Sequence, residues 1–406
     1  MRVAIVAEYY PRASDPVLGV WAHRQAMAAR DAGADVRVLV LQRPLPPLAA
    51  LKRAVVAAVR AALRHPPRAA LDGIEVAYVP YLSPPRPWSY ATWGAWAAPL
   101  LHRALSRLRA TFPFDLVHAH YAVPAGDAVR RAQRDVPLVV SVHGGDVLAT
   151  AQRSAYAERV VRRTFAHARL VLANSAGTER RCHTLGARAT TVVHLGTDLP
   201  ADISHRTANA ADRPPTLVTV GHLVARKRHA DVIEALAILA PTHPRLRYTI
   251  VGDGPERAAL DQLATRRGVR DRVIFTGQLP PAEARGQAAA ADLFVLPSTD
   301  EAFGVAYVEA MAAGVPAIGC EGEDGPNEIA AAGAGLVQVP PCNPRALAAE
   351  LDRLLGDDEA RAALGRQARS TVEEAFTWER CGHRTVVAYE RALAGPAVSP
   401  PRSPGS

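Results

Sequence analysis

Long apolar runs are scarce in this chain of 406 residues. Its least polar stretch, Ala91 to Leu101, falls well short of the roughly 20 residues that a membrane-spanning helix needs. The opening Met1-Arg2-Val3-Ala4-Ile5-Val6-Ala7-Glu8 meets an acid after five apolar residues, too soon for a secretory signal, and reads as a buried first strand. Cysteine is equally sparse. Cys182, Cys320, Cys342 and Cys381 lie far apart with no CxxC pair and no His/Cys cluster, which fits reduced structural thiols in a cytosolic protein better than a disulfide framework or a zinc site. The one close histidine pair, His118-Ala-His120, lacks both helical i, i+4 spacing and a neighbouring acid, so no metal is expected there. No Ser/His/Asp elbow, Walker loop or dinucleotide GxGxxG is present. Zinc-finger spacing, a basic zipper and RNA-binding signatures are also missing, which argues against nucleic acid as a partner. Lysine is nearly absent: Lys52 and Lys227 are the only two among 48 basic residues.

What is present is a 49% hydrophobic, 21% charged composition, enough for large cores, in a chain long enough for two or three domains. The net charge of +9 is unevenly spread. Residues 1–200 hold 26 Lys+Arg against 13 Asp+Glu, whereas residues 201–406 hold 22 against 26. The positive field therefore belongs to the first half, where it suits an anionic membrane surface or a phosphorylated acceptor. An Arg-rich composition explains Arg over Lys but not this asymmetry. Leu45 to Arg64 reads as a Pro-initiated helix with Leu48, Leu51, Val55, Val59 and Leu63 on one side and Lys52, Arg53, Arg60 and Arg64 around the other. Trp88, Trp93 and Trp96 follow it. Two readings stand: a helix lying in a bilayer interface, or one packed on a core beside a cleft.

Short β-type runs alternate with helix-length Ala/Arg-rich segments twice over, the pattern of α/β architecture with parallel sheets flanked by helices. Strands are expected at Val3–Ala7, Val36–Leu41, Leu116–Ala119, Leu138–Val142, Leu170–Ala173 and Thr191–His194. A second set is expected at Leu217–Val220, Arg247–Val251, Val273–Thr276, Leu293–Leu296, Ala317–Gly319 and Leu336–Val337. The break falls in the Pro-containing stretch Asp198 to Pro215. Two doubly wound domains follow, residues 1–200 and 201–377. A helix over 378–394 is expected to return to the first domain, and a Pro/Ser-rich tail over 395–406 to be disordered. Such sheets bind ligands at the carboxyl ends of their strands, so the natural site is the cleft between them.

The most informative string is Ser298-Thr-Asp-Glu301-Ala-Phe-Gly304-Val305-Ala-Tyr-Val-Glu309-Ala-Met-Ala-Ala-Gly314-Val-Pro316, which follows an apolar strand and opens a helix near Gly304. A helix N-terminus offers unpaired N–H groups and a positive dipole end, apt for a diphosphate. Glu301 precedes that helix and Glu309 lies about one and a half turns inside it, so the two carboxylates can grip hydroxyls on either side of the phosphates. Val218-Thr-Val-Gly221-His222-Leu-Val-Ala-Arg226-Lys227-Arg228 follows the first strand of the same half. Ser141-Val-His143-Gly144-Gly145-Asp146 ends a strand of the first half, and Gly19-Val20 lies in the loop after the first strand.

In the form EAFGxxxxEAMAxGxP, the long string resembles the retaining glycosyltransferases of family 4 (glycosyl transferases group 1), which have the GT-B fold of two Rossmann-like domains facing across a cleft. The resemblance covers about residues 1 to 390. It extends to a VGRLxxxKG-like loop at 220–228, with His222 where the family has Arg and Arg228 where it has Gly. It also extends to Val251-Gly-Asp-Gly-Pro255, Phe275-Thr-Gly277, the THGxD-like His143 motif, Asn174-Ser175 and His194-Leu-Gly196-Thr-Asp198.

The resemblance implies a hexosyltransferase that moves a sugar from a nucleotide-diphosphate sugar to a glycan or lipid-linked acceptor in polysaccharide or cell-envelope biosynthesis. It implies no cofactor and no metal. A place in the cytoplasm is expected from the missing signal and membrane span, and contact with the inner face of the cell membrane from the charge asymmetry and the Leu45–Arg64 stretch. Glu301 would contact the donor sugar's hydroxyls, Glu309 the ribose, and the amides of Gly304 and Val305 the diphosphate. Lys227, with Arg226 supplying the missing charge, would neutralise that diphosphate. Gly19 would approach the donor phosphates, and His143 would sit beside the transferred sugar. Competing readings are a nucleotide-sugar epimerase or phosphorylase of the same fold, the latter disfavoured by the lack of lysines, and a non-catalytic scaffold.

Overall fold

The computed structural model describes residues 1–12, 15–43, 66–86, 88–201 and 213–394. The expected Leu45–Arg64 helix, the middle of the Asp198–Pro215 break and the 395–406 tail lie outside the described residues.

Fourteen strands among the described residues form two sheets. The first contains β1 (Arg2–Ala7), β2 (Asp35–Gln42), β3 (Arg68–Leu71), β4 (Ile74–Pro80), β5 (Leu116–His120), β6 (Leu138–Val142), β7 (Leu170–Ala173) and β8 (Thr190–Val192), in the order β3-β4-β2-β1-β5-β6-β7-β8. It is parallel except for the antiparallel β3–β4 pair. The second contains β9 (Thr216–Val220), β10 (Arg247–Val251), β11 (Val273–Gly277), β12 (Leu293–Val295), β13 (Ala317–Cys320) and β14 (Leu336–Val339), in the order β11-β10-β9-β12-β13-β14 and parallel throughout. Their strands read as near-continuous apolar runs because both faces are covered, as parallel sheets require. Ala4, Val6, Val117 and Val140 point into one cluster while Val3, Ile5, Leu116 and Val139 point into another. The second sheet repeats this, with Leu217 and Leu293 on one face and Val218 and Phe294 on the other.

The covering helices of the first sheet are α1 (Val20–Asp31), α2 (Trp93–Thr111), α3 (Asp127–Ala132), α4 (Ala155–His167) and α5 (Ala176–Thr184). Those of the second are α6 (His229–Leu239), α7 (Arg257–Arg266), α8 (Pro281–Ala290), α9 (Val305–Ala312), α10 (Asp324–Ala332), α11 (Pro344–Leu355) and α12 (Asp358–Ala375). The final helix, α13 (Trp378–Ala394), crosses back. Its Cys381, Ala388, Tyr389 and Ala392 enter the first sheet's core, and a Cβ on Gly382 would stand 2.1 Å from the Ala28 carbonyl oxygen of α1.

Sequence reasoning missed β3 and β4. They form a hairpin whose two-residue turn, Asp72-Gly73, has both φ angles positive (47° and 79°), as a primed hairpin turn demands. The tryptophan cluster also divides: Trp93 is buried in the core, while Trp88 and Trp96 are exposed. In each sheet the chain reverses direction of winding beside its first strand, at β1/β5 and at β9/β12. Loops diverge there and leave a crevice at the carboxyl ends of the strands.

Candidate active site

Because β12 lies beside β9, with Leu293 opposite Leu217, the loops leaving both strands run together. Thr299 N–H donates to the Arg226 carbonyl at 2.8 Å. This contact brings Lys227 Nζ to 2.5 Å from Glu301 Oε2, which also accepts from Ser298 Oγ at 2.8 Å. Arg226 stands farther out, 3.9 Å from the same carboxylate and 46% exposed along its side chain. Burial acts to raise the Glu301 pKa, but the Lys227 charge, with Arg226 and the Ser298 bond, outweighs it, so the carboxyl is held below its ordinary value. Glu301 Oε1 has no hydrogen-bond partner among the described residues, and Lys227 spends one of its three N–H donors on the pair. The ion pair thus retains one acceptor and two donors for a ligand.

Gly304 starts α9 with φ 84°, and a Cβ there would lie 2.4 Å from the Tyr307 ring. No side chain caps this helix, so the N–H groups of Val305 and its neighbours lack intrahelical acceptors. The Tyr307 hydroxyl anchors the first turn by donating to the Leu296 carbonyl, which ties α9 to the end of β12. Glu309 lies on the next turn, half-buried. Its only ion-pair neighbour among the described residues is Arg285 of α8, 3.9 Å away. Burial chiefly pushes its carboxyl up to about 7, against Arg285 and Arg24 and with help from Asp198.

The two family departures have a structural reading. Arg228 occupies a left-handed conformation, φ 55°, that favours glycine, and its guanidinium is spent on Asp231 at 2.8 and 2.9 Å. It therefore adds no free cation to the cleft. His222 is exposed.

On the first domain's side, Gly19 precedes α1 with φ 66°. Its Cβ position falls 2.2 Å from the Tyr9 backbone, so only glycine lets the loop after β1 fold back on itself. His143 follows β6. Its Nε2 lies 3.0 Å from His120 Nδ1, the two rings stack with centroids 5.3 Å apart, and His118 lies 4.5 Å beyond His120. Burial pushes His118 and His143 down to about 3 and also lowers His120, so this cluster is uncharged at neutral pH. His143 can serve the reaction as a neutral hydrogen-bonding group. Its Nδ1 is buried without a partner among the described residues, as is Trp21 Nε1, whose ring is 6.2 Å away. Asp146, fully buried and pushed up to about 7 by burial, accepts from the Ala122 N–H at 2.7 Å and ties the loops after β5 and β6 together.

The two sets of residues meet. A Cβ on Gly144 (φ 95°) would stand 2.3 Å from Ala302 Cβ, so the His143-Gly144 turn lies directly against the Glu301-Ala302 turn. A second bridge forms where Glu328 of α10 accepts from the Ala176 N–H at 2.9 Å and contacts His194 Nε2 at 2.6 Å, with Asp324 3.1 Å from Arg181. The structure thus unites Lys227, Arg226 and Glu301, sets Gly304 and Val305 beside them, and apposes the His143 turn. It places Glu309 apart, on the far side of the helix start and towards Asp198 and Arg24. Tyr9, Trp21 and Tyr121 escaped the sequence reading, and His120 was noticed only as half of a close histidine pair, because no motif links them to His143. Only the positions of Tyr9 and Tyr121 just past β1 and β5, and of Trp21 at the start of α1, could have pointed to them. Among the described residues no group of three His, Cys, Asp or Glu side chains could hold a metal ion.

Comparison with known proteins agrees across both domains. The profile for glycosyl transferases group 1 matches residues 201–371, and that for glycosyltransferase family 4 matches residues 18–200. TuaC, a glycosyltransferase of Bacillus subtilis assigned to teichuronic acid biosynthesis, is 30% identical over 338 residues, spanning 78% of this chain and 80% of that protein. Among solved structures, the sucrose-phosphate synthase of Thermosynechococcus elongatus superposes with a TM-score of 0.77 at 22% identity, covering 97% of this chain and 99% of its own. Anabaena HepE in complex with UDP gives 0.70 at 22% identity, covering 96% and 100%.

Proposed function

Since this chain belongs to the family 4 (group 1) glycosyltransferases and has their two-domain GT-B architecture, we propose that it is a retaining, metal-independent hexosyltransferase that passes a sugar from a nucleotide-diphosphate sugar to a glycan or lipid-linked acceptor in polysaccharide or cell-envelope biosynthesis. The carrying observation is the Lys227–Glu301 pair, set beside an uncapped helix start and pressed against the His143 turn. In this reading residues 201–377 bind the donor, residues 1–200 the acceptor, and 378–394 join the two.

Lys227 and Arg226, with the amides of Gly304 and Val305, neutralise the diphosphate and stabilise it as it leaves. The open oxygen of Glu301 accepts from hydroxyls of the donor sugar, and Glu309 from the ribose. Gly19 brings the loop backbone close to the phosphates. Neutral His143 hydrogen-bonds the sugar at the reacting side without competing as a charge. The acceptor hydroxyl attacks from the leaving-group face, and the departing diphosphate takes its proton. The protein contributes position and charge stabilisation. Among the described residues no helix is long and apolar enough to cross a membrane. Action in the cytoplasm, at the inner face of the cell membrane, is part of the proposal and rests on the positive surplus of residues 1–200.

Thermal-shift measurements with UDP, GDP, ADP and their sugar conjugates, with EDTA present, test this. UDP comes first because HepE has been solved with it. Stabilisation by one nucleotide family, unchanged by EDTA, is expected. No shift with any of them would refute donor binding by residues 201–377.

A further inference from the structure

Outside the residues used so far, the rim of the first domain carries a second built cluster. Glu8, the first residue past β1, is 11% exposed along its side chain. Its Oε1 accepts from Arg86 NH2 at 2.8 Å and its Oε2 from the Tyr90 hydroxyl at 2.7 Å. The same Arg86 nitrogen donates to the Tyr9 hydroxyl. The guanidinium lies 4.0 Å over the Tyr90 ring and 4.9 Å from that of Trp93. Arg86 is therefore fixed by one terminal nitrogen and by aromatic faces. Its Nε and NH1 have no partner among the described residues, and 43% of the side chain is open.

A second guanidinium, that of Arg43 just past β2, lies 5.1 Å from the Trp93 ring and bonds to Ser83. Tyr81, 1% exposed with its ring 6.2 Å from that of Trp93, has a hydroxyl without a hydrogen-bond partner among the described residues. The charges acting on that hydroxyl are those of Glu8, Arg86 and Arg43. Donors exceed acceptors here, and the one carboxylate already has its two partners. Native proteins rarely leave a buried hydroxyl unsatisfied, so Tyr81 beside an open guanidinium marks a place where a bound water or an external acceptor group completes the bonding.

The location suits the acceptor. The Tyr9 ring lies 5.4 Å from that of Tyr121, which lies 5.1 Å from His143, and the Tyr90 hydroxyl also reaches the Val123 carbonyl in the loop after β5. Arg86 thus shares a rim with His143, with the rings of Tyr9 and Tyr121 between them.

We infer that Arg86, oriented by Glu8 and flanked by Tyr81 and Arg43, binds an anionic group of the acceptor, a phosphate or carboxylate displaced from the hydroxyl that attacks. A guanidinium held by one terminal nitrogen and by aromatic faces keeps its Nε and NH1 donors in fixed directions for such an oxyanion, which a freely rotating ammonium does not. This rests on the reading that residues 1–200 hold the acceptor.

Titration calorimetry and thermal shift on the full chain test it, with and without UDP. The probes are a hexose 6-phosphate, a hexuronate, a neutral hexose, and vesicles of anionic or zwitterionic phospholipid. At least one anionic sugar should bind wild type where the neutral hexose does not, more weakly as salt rises. Arg86→Gln should weaken that binding about tenfold or more while leaving the UDP response unchanged. Tyr81→Phe, which keeps every charge, should weaken it by a smaller factor. Should Arg86→Gln fail to fold, Arg86→Lys keeps a cation for Glu8 and should still lose about tenfold. Anionic vesicles that bind wild type but not Arg86→Gln would put the same charge on a lipid-linked acceptor. The inference is overturned if anionic and neutral sugars bind alike, if both Arg86 variants retain wild-type anion binding, or if vesicle binding alone is seen and ignores Arg86. A lost UDP response with anion binding intact would instead overturn the donor reading and leave this site standing.

Discussion

Replacing Glu309 with glutamine should weaken donor binding and at the same time stabilise the free protein, and both effects should depend on pH. Burial pushes this carboxyl up to about 7. If it binds the ribose by accepting two hydroxyl hydrogen bonds, its ionised form is the binding form. At a pKa of about 7 the ionised fraction rises from about a tenth at pH 6 to about nine-tenths at pH 8, so donor affinity should rise nearly tenfold, about 1.4 kcal/mol. A nucleotide sugar is the right probe, because its diphosphate is esterified at both ends and does not titrate in this window. Glu309→Gln cannot ionise. Its affinity should be flat with pH and, at pH 8, lower by about 1.5–3 kcal/mol, the worth of hydrogen bonds to a charged group.

Stability moves the other way. The folded pKa of about 7 lies above the ordinary carboxylate value of 4.5. The folded state therefore holds this proton more tightly, and stability is lost as pH rises from about 4.5 through 7. Glutamine removes that penalty. With 27% of the side chain exposed, the gain at pH 8 should be roughly 1–3 kcal/mol, vanishing near pH 4. Calorimetric titration with the donor at pH 6, 7 and 8, beside melting curves of the free protein, reads both effects. A wild-type affinity that stays level from pH 6 to 8 and matches that of Glu309→Gln would refute the ribose role.

Three further outcomes follow from the geometry. Lys227→Met leaves the buried Glu301 carboxylate with only the more distant Arg226 and the Ser298 hydroxyl, which should destabilise the second domain by up to about 3–5 kcal/mol and abolish measurable donor binding. The double variant Lys227→Met/Glu301→Gln should recover much of the stability but none of the binding, and equal melting of the single and double variants would argue against the pairing. Gly144→Ala puts a Cβ 2.3 Å from Ala302 in a left-handed backbone, so sugar transfer should fall at least tenfold while nucleotide binding changes less than about twofold. A parallel loss of both would show that the turn matters only for folding. Glu328→Gln loosens the bridge to Ala176 and His194, and small-angle scattering should report a larger mean radius, whereas an unchanged profile would mean that this bridge does not hold the domains together.

The proposed donor site could be read from the sequence because its residues are local. Glu301, Gly304, Val305 and Glu309 fall within nine residues, and the alternation of strand and helix placed that string at the end of β12 and Lys227 at the end of β9. The pairing of Lys227 with Glu301 was not legible, since it depends on β12 lying beside β9 in the sheet. Strand limits erred by a residue or two at the ends, as at β8, where Val193 continues the apolar run past the last paired residue, and at β14, where the polar Gln338 lies inside the strand. The β3–β4 hairpin was missed although Asp72-Gly73 between alternating runs is a hairpin signal. Its surroundings are rich in Ala and Arg, and that composition masks the period of two.

The rim of the first domain, the proposed acceptor side, resisted for a different physical reason. Glu8, Arg43, Tyr121 and His143 come from the ends of β1, β2, β5 and β6, and Arg86 from the loop after β4, so only the sheet order gathers them on one rim. His143 alone is marked by its neighbours, and each of the others would pass for a surface charge or a core aromatic. The two halves face different tasks. A diphosphate presents the same charges whatever sugar it carries, so one short string at a helix start can hold it. An acceptor is recognised by the placement of its groups about the attacking hydroxyl, which needs contacts from several directions and hence from strands distant in the chain. The acceptor specificity of this protein should therefore shift with substitutions scattered over residues 8–143 and hardly at all with those in 298–316, where changes should cost turnover for every acceptor alike.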